Sequence, residues 1–161
     1  MRLLRILVYL AVVLGAGVYF LSRYEEKHDD EDYNEFSMEH FEERSLSQFD
    51  AIRLSGNFDV DIDLGEKPHL HLETSDLEVA RNIESYVTNR TLYVKYKRGF
   101  KGYKKVKLII SAGNLKKLDV SGKTEVDIDG TIQSNTFDLE VSGAGSVEMD
   151  IQTRNFKTDI S

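Results

Sequence analysis

Hydrophobic and polar residues alternate with a period of two along most of the chain after residue 48. The alternation is clearest in the segments 60–64, 69–73, 92–97 and 105–110. It is typical of β-strands that bury one face and expose the other. Residues 75–84 break the pattern and indicate a helical turn or a loop. The chain is therefore predicted to form an all-β domain over residues 49–161.

One short phrase occurs three times in this domain. It reads Ile-Arg-Leu-Ser-Gly at 52–56, Leu-Asp-Val-Ser-Gly at 118–122 and Leu-Glu-Val-Ser-Gly at 139–143. A second strand-like phrase begins five residues after each serine, at 60, 126 and 147. Glycine permits the positive φ of a sharp bend, so Gly56, Gly122 and Gly143 are predicted to be turn glycines between strands. Units of strand, corner, strand and turn predict a β-solenoid.

These phrases carry a family resemblance. Phe-Asp-Ala-Ile-Arg-Leu-Ser-Gly at 49–56, the later Ser-Gly repeats and Val-Ser-Gly-Ala-Gly-Ser at 141–146 resemble the bacterial head GIN domain, an autotransporter-adhesin head. The resemblance covers residues 49–161. It implies a right-handed parallel β-helix with two sheets, adhesion without catalysis and a Gram-negative cell envelope. It also implies further coils after Ser161.

The amino-terminal segment is apolar. Arg2 and Arg5 precede an unbroken apolar run over residues 6–21, and a helix over residues 3–21 would span roughly 30 Å, about one hydrocarbon core. Residues 1–23 are predicted to be a transmembrane signal anchor that leaves the domain in the periplasm. The alternative is a signal peptide cleaved near residues 15–17, after which the protein would be exported.

Residues 24–48 are strongly acidic. The stretch 24–44 holds ten acidic residues against Lys27 and Arg44, whereas the whole chain has a formal net charge of −7. The charge is therefore concentrated before the domain. A segment so rich in like charge is predicted to be an extended linker. The alternative is an acidic ligand for a basic partner.

A basic segment follows within the domain. Residues 90–107 hold eight basic side chains and no acidic one, with interleaved aromatic rings. The candidate anion- or glycan-binding residues there are Lys95, Lys97, Arg98, Phe100, Lys101, Tyr103, Lys104 and Lys105. Such a mixture can bind phosphates or anionic glycans. The alternative is an edge hairpin that lysines protect from unwanted pairing.

Acidic side chains recur at equivalent places of the second and third units. If those units stack, Asp127 and Asp129 meet Glu148 and Asp150. Like charges on adjacent strands repel, and either solvent or a hard cation would relieve the repulsion. The interpretation preferred here is a hydrated acidic face, with a cation site as the alternative. The chain has no cysteine, which excludes thiolate metal sites, and no cofactor is predicted.

No nucleophile motif or acid–base constellation points to catalysis. We expect a membrane-anchored, non-enzymatic envelope protein that acts in adhesion or surface recognition, with a surface glycan or an envelope protein as partner. One alternative is a periplasmic scaffold or sensor that binds an anionic partner through residues 90–107. Another is a carbohydrate-active β-helix enzyme. Nucleic acid is not expected as a partner, and the open end of the predicted solenoid favours a homo-oligomer.

Overall fold

The structure is a computed structural model, and it describes residues 40–65, 67–101 and 104–161. In these residues the chain forms one ten-stranded sheet and one short helix, α1 (Leu77–Arg81). The strands are β1 (His40–Ser45), β2 (Ala51–Gly56), β3 (Phe58–Leu64), β4 (His69–Thr74), β5 (Ile83–Thr88), β6 (Thr91–Tyr96), β7 (Val106–Ala112), β8 (Lys117–Gly122), β9 (Glu125–Gly143) and β10 (Ser146–Ile160).

The sheet is curled into a half-barrel because its longest strand turns a corner. Residues 125–129 of β9 pair with β3, whereas residues 138–143 pair with β8. We call the strands β5, β6, β2 and β8, with the second parts of β9 and β10, half-sheet 1. Half-sheet 2 contains β1, β4, β7 and β3, with the first parts of β9 and β10. The strand order is β1-β4-β7-β3-β9-β8-β2-β6-β5, and β10 pairs with β9.

The predicted all-β class is confirmed, but the predicted right-handed parallel β-helix is wrong. The sheet is mixed, because β1 with β4, β4 with β7, and β5 with β6 are antiparallel pairs. The chain between β3 and β8 does not form a coil of a solenoid. It instead adds β4 and β7 beside β3, and β5 and β6 beside β2.

The physical reason lies in what an alternating pattern specifies. Period-two alternation fixes which side chains face the core, but a strand with that pattern can pair in either direction. Where the repeated phrases meet, they do pair in parallel and in register. Gly56 aligns with Gly122, and Gly122 aligns with Gly143. The segment 69–112 lacks the Ser-Gly phrase, and its pattern alone did not predict the antiparallel pairs.

The corners between the half-sheets depend on glycine. Gly122 and Gly143 have φ of 95° and 93°, which side chains resist. A Cβ atom on Gly122 would overlap the carbonyl oxygen of Gly56, and one on Gly143 would lie 2.8 Å from that of Gly122. Gly56 differs, because its φ is not positive and its Cβ would meet the rings of Phe58 and Tyr96.

The core lies between the two half-sheets. It consists of the inward residues of the strands, such as Leu54, Val120 and Ile62, together with Phe49 and Leu115. Helix α1 covers one end of this core. Its cap is Asp76, whose carboxylate accepts hydrogen bonds from the backbone N–H groups of Glu78 and Val79, and it buries Val79 and Ala80.

Two further predictions concern chain segments. Residues 90–107 are not a hairpin, because β6 and β7 belong to different half-sheets and the loop between them crosses from one to the other. Strand β1 lies within the segment predicted as a linker, 24–48. The predicted anchor, 1–23, lies outside the described residues. In the described part of the chain, no helix is long and apolar enough to cross a membrane.

Candidate functional site

The outer face of half-sheet 1 carries a row of stacked side chains. Arg53 of β2 is in register with Tyr93 of β6, and Tyr93 is in register with Tyr86 of β5. The two tyrosine rings are 5.1 Å apart at an interplanar angle of 10°. The guanidinium of Arg53 lies 5.7 Å from the centre of the Tyr93 ring, and Lys95 Nζ lies 5.5 Å from that of Tyr86. The ring faces are therefore largely occupied by neighbouring side chains.

Three ion pairs lie on this outer face. Arg53 Nε lies 2.6 Å from a carboxylate oxygen of Asp119, and Lys117 Nζ lies 2.6 Å from one of Glu140. Lys95 lies 3.7 Å from Glu84. Each pair joins neighbouring strands. The hydrogen bond from Lys117 holds the pKa of Glu140 below its ordinary value. The outer face of half-sheet 1 is thus close to electrically neutral.

The outer face of half-sheet 2 has a different character. We call six neighbouring carboxylates of this outer face the acidic face; they are Asp61, Asp63, Asp127, Asp129, Glu148 and Asp150. Asp59 and Glu125 lie on the same outer face, but both contact Lys105. They come from three neighbouring parallel strands, β3, β9 and β10. Together with Ile62, Ile128 and Met149 they line an open depression of about 700 Å³.

The strand register brings these carboxylates side by side. Asp61 is level with Asp127, Asp127 with Glu148, and Asp63 with Asp129. Among the described residues, the only ion pair of the acidic face joins Asp61 to Lys107, at 2.8 Å. That contact raises the pKa of the Lys107 ammonium. The other five carboxylates of the acidic face form no ion pair with another described residue.

Two pairs of acidic residues were predicted to lie side by side. One pair does, and in the other the two residues are displaced along the strands. Glu148 is in register with Asp127, but Asp150 is in register with Thr131. The reason is an irregularity between Met149 and Asp150, where β9 has additional residues and the register shifts. In the part of the chain that the structure describes, no cluster of histidine, aspartate or glutamate is arranged to hold a metal ion.

The basic segment is largely engaged within the protein. Lys105 Nζ lies 2.7 Å from Glu125 and 3.4 Å from Asp59, and these contacts raise the pKa of its ammonium. Lys104 lies 3.4 Å from Asp76. Lys97 donates a hydrogen bond to the carbonyl of Arg81. These lysines connect elements of the fold, so their positive charge is already partly compensated by groups of the protein.

The remaining members of the predicted basic site are spread along the crossing loop. Phe100 packs against Tyr96 at a centroid distance of 5.7 Å. Burial of Tyr96 raises the pKa of its phenol to about 12. Arg98 and Lys101 are exposed, and no ion pair joins either to another described residue. Tyr103 lies outside the described residues. The proposed cluster is therefore reduced to two exposed cations on a loop.

Asp50 forms contacts that connect the amino-terminal ends of three strands. One of its carboxylate oxygens lies 2.9 Å from Lys116 Nζ and 3.1 Å from Arg90 Nε. Its backbone N–H donates to the carbonyl of Arg90, and its carbonyl accepts from Lys116 N–H. The hydrogen bond from Lys116 is the main cause that lowers the pKa of the Asp50 carboxyl. Asp50 is a structural connector between β6, β2 and β8.

Sequence reasoning missed part of each outer face. Asp61 and Asp63 belong to the acidic face, and the signal was present, because their phrase Val-Asp-Ile-Asp is identical to the one at 126–129. No repeated phrase in the sequence could have predicted the stack of Arg53, Tyr93 and Tyr86. It depends on β5 folding back on β6 as an antiparallel strand, which the alternation alone does not specify.

The fold resembles several solved structures. A "putative adhesin" from Bacteroides fragilis shares 18% identity and a TM-score of 0.69, over 75% of this chain and 57% of that one. One from Parabacteroides merdae shares 16% identity and a TM-score of 0.67, over 75% of this chain and 52% of that one. A "putative lipid binding protein" from Parabacteroides distasonis shares 19% identity and a TM-score of 0.57, over 75% and 62%. This chain thus spans little more than half the length of most of these proteins.

A sequence comparison gives the family directly. No curated protein matches the chain at a significant level. The profile of the family described as "Putative auto-transporter adhesin, head GIN domain" matches residues 48–161, which include nearly all of the curled sheet. The resemblance seen in the repeated Ser-Gly phrases is therefore confirmed, and this chain belongs to the head GIN domain family.

Proposed function

We propose that this chain is a non-enzymatic adhesion module of the bacterial cell envelope, and that it binds a basic protein surface through the acidic face. Family membership supports the adhesive role. The observation that carries the proposal is the contrast between the two outer faces. On half-sheet 1, Asp119 and Glu140 are in ion pairs with Arg53 and Lys117, whereas on half-sheet 2 Asp61 is the one member of the acidic face that is in an ion pair among the described residues.

The arrangement of the acidic face has an energetic cost. Like charges directly opposite on neighbouring strands are destabilising by a few tenths of a kcal/mol per pair or more. A partner with lysine or arginine side chains would remove this repulsion on binding, so complex formation gains energy that the isolated domain lacks. Facing potentials of opposite sign also accelerate encounter, and the effect falls as salt rises.

The shape of the acidic face suits binding to a broad surface. Its carboxylates lie on a pleated sheet face and line an open depression of about 700 Å³. Catalysis by carboxylates normally requires an acid and a base whose environments differ, in a site that excludes water. The carboxylates here share one hydrated environment. This supports recognition over the alternative of a carbohydrate-active enzyme.

The alternative of an anionic partner at residues 90–107 has weaker support. Lys95, Lys97, Lys104 and Lys105 already contact acids or carbonyl groups of the protein. An anionic ligand would have to compete with these contacts. Arg98 and Lys101 remain as exposed cations, and two cations on a loop give little affinity at physiological salt.

The proposal can be tested with two matched triple variants of the full chain. The first neutralises the acidic face with Asp63→Asn, Asp127→Asn and Asp129→Asn. The second neutralises half-sheet 1 with Glu84→Gln, Asp119→Asn and Glu140→Gln, and it changes the net charge equally. Binding to a surface coated with poly-lysine is measured at several salt concentrations, together with adhesion of cells that display the chain.

We expect the acidic-face variant to lose at least tenfold in binding and the half-sheet 1 variant to change little. Adhesion should fall in the same order. Equal losses in both variants would mean that net charge alone is responsible, and unchanged binding in the first variant would exclude the acidic face. Either result would overturn the proposal.

A further inference from the structure

The imidazole of His71 lies between two carboxylates on the outer face of half-sheet 2. Its Nδ1 atom lies 2.5 Å from a carboxylate oxygen of Glu43, and its Nε2 atom lies 2.9 Å from one of Glu73. Glu43 belongs to β1, whereas His71 and Glu73 belong to β4. The His71 ring also stacks on Phe41 of β1, at a centroid distance of 5.9 Å. His71 therefore fastens β1 to the rest of the sheet.

Both contacts of His71 can be hydrogen bonds only when its ring carries two protons. An ionised carboxylate only accepts, and a neutral imidazole has one N–H group and one lone pair. A neutral ring would therefore present its lone pair to one of the two carboxylates, and that contact would become repulsive. The protonated ring donates to both carboxylates and is opposite in charge to both. The arrangement around His71 is thus complete only in the protonated form.

The strands beyond β4 do not compete for this position. On β7, the uncharged Ile109 is in register with His71. Lys107 of β7 is in register with Glu73, and its ammonium lies 2.8 Å from a carboxylate oxygen of Asp61 on β3. The charge of Lys107 is therefore directed toward Asp61, and His71 is the cation that contacts Glu73.

Arg44 fastens the same strand to a different part of the sheet. Its guanidinium donates hydrogen bonds to the hydroxyl of Ser85, at 2.8 Å, and to the carbonyl of Ile83, at 3.3 Å, both on β5. It also donates to the carboxylate of Glu42, which lowers the pKa of that carboxyl. A guanidinium keeps its charge throughout the pH range of proteins. Strand β1 thus has one fastening that titrates and one that does not.

We propose that β1 is a pH-sensitive strap, held on β4 while His71 is protonated and loosened when His71 loses its proton. Histidine side chains ordinarily change charge between about pH 5 and 8. A strand rises about 3.3 Å per residue, so release of the six residues of β1 adds about 20 Å of chain between the sheet and the acidic segment 24–39. The freed Glu42 and Glu43 extend that acidic segment. The reach of the domain therefore increases as the pH rises.

Hydrogen exchange of the full chain follows β1 directly. The sample is kept in a mild detergent because residues 6–21 are apolar. Mass spectrometry measures the protection of residues 40–45 at about pH 5.5 and about pH 8, corrected for the intrinsic pH dependence of exchange, with residues 83–88 of β5 as the internal reference. We expect the protection of β1 to fall about threefold or more at the higher pH, and that of β5 to change little. Constant or rising protection of β1, or an equal fall in both segments, would overturn the proposal.

Three variants assign the change to His71. His71→Gln keeps a polar side chain that cannot titrate, so β1 should show the lower protection at both pH values. His69→Gln is the matched control, because His69 lies on the same face of β4 but its Nδ1 atom contacts the carbonyl of Lys67. It should keep the pH dependence of the unchanged chain. Arg44→Gln should lower the protection of β1 equally at both pH values. A pH dependence that survives in His71→Gln, or disappears in His69→Gln, would contradict the strap.

The protonation of His71 can also be observed without any substitution. Nitrogen-15 spectra of the unchanged chain should show two protonated ring nitrogens of His71 at about pH 5.5 and one at about pH 8. A ring that is already neutral at the lower pH would refute the proposal even if His71→Gln did not fold. The variants of the poly-lysine test leave β1 and β4 unchanged, so each of the two proposals can fail while the other stands.

Discussion

Val120, Val141 and Ile160 occupy equivalent positions on β8, β9 and β10, next to each other across half-sheet 1. Their exposed fractions are 0%, 8% and 73%. All three are β-branched or bulky apolar residues that face the core side, so the sequence pattern does not distinguish them. The difference comes from neighbours. Among the described residues, β8 has a paired strand on both sides, whereas β10 has one on a single side. Burial in this fold is therefore set by strand order as much as by residue type.

The largest expected effect is at the centre. Leu118→Ala removes a fully buried side chain between β2 and β9. Loss of transfer energy and the remaining cavity should lower the free energy of unfolding by about 3 kcal/mol. Urea denaturation of the full chain measures this value. A loss below about 1 kcal/mol would show that the centre is not better packed than the edge.

The next effect concerns the corners. Gly122→Val should cost about 2 kcal/mol or more, because φ is 95° and the new Cβ would overlap the carbonyl of Gly56. Gly99→Val is the matched control. Gly99 also has a positive φ, but nothing lies within 4 Å of its Cβ position. We expect Gly99→Val to lose clearly less stability than Gly122→Val, as measured by thermal denaturation. Equal losses would assign the whole cost to backbone strain and none to the close strand approach.

A smaller, pH-dependent effect is expected at Asp50. The folded state lowers the pKa of this carboxyl below its ordinary value of 3.8. Its stabilisation is therefore complete above that value and is lost as the pH falls through the lower, folded pKa. Asp50→Asn should cost about 1 kcal/mol near neutral pH, a modest value because Arg90 and Lys116 are exposed.

As the pH falls through the folded pKa of Asp50, the unchanged protein and Asp50→Asn should converge in stability, as measured by urea denaturation at each pH. A constant difference between Asp50→Asn and the unchanged protein across the acidic range would contradict the role of the charged carboxylate.

The smallest effect is expected at the edge. Ile160→Ala removes a side chain that is mostly in water already, so it should lower the free energy of unfolding by about 0.5 kcal/mol or less. Urea denaturation of the full chain measures this value. A loss as large as that of Leu118→Ala would remove the contrast between centre and edge.

The sequence predicted the local features of this fold better than its topology. The repeated Ser-Gly phrase predicted parallel strands in register, and Gly122 pairs with both Gly56 and Gly143. It could not predict where β4 to β7 would pair, because alternation fixes the face of a strand and leaves its direction and neighbours open. The predicted β-helix failed for that reason.

The candidate site was predictable to a similar degree. The neighbouring positions of Asp127 and Glu148 followed from the repeat, and Asp61 and Asp63 could have been added from their identical phrase. The displacement of Asp150 could not be predicted, because it depends on the irregular register between β9 and β10. The ion pair of Lys105 with Glu125 could not be predicted either, because it forms only when the loop after β6 crosses to half-sheet 2.

The parallel pairing of β2 has a consequence for how the chain is made. β2 lies between β6 and β8, and both of these strands come later in the chain. One edge of β2 thus stays unpaired until residue 96 has been made, and the other until residue 122. Long loops must close before such contacts form, which makes folding slow. A chain that emerges from its amino-terminal end cannot complete half-sheet 1 until β9 and β10 have been made, so the order of its strands delays the folding of this half-sheet.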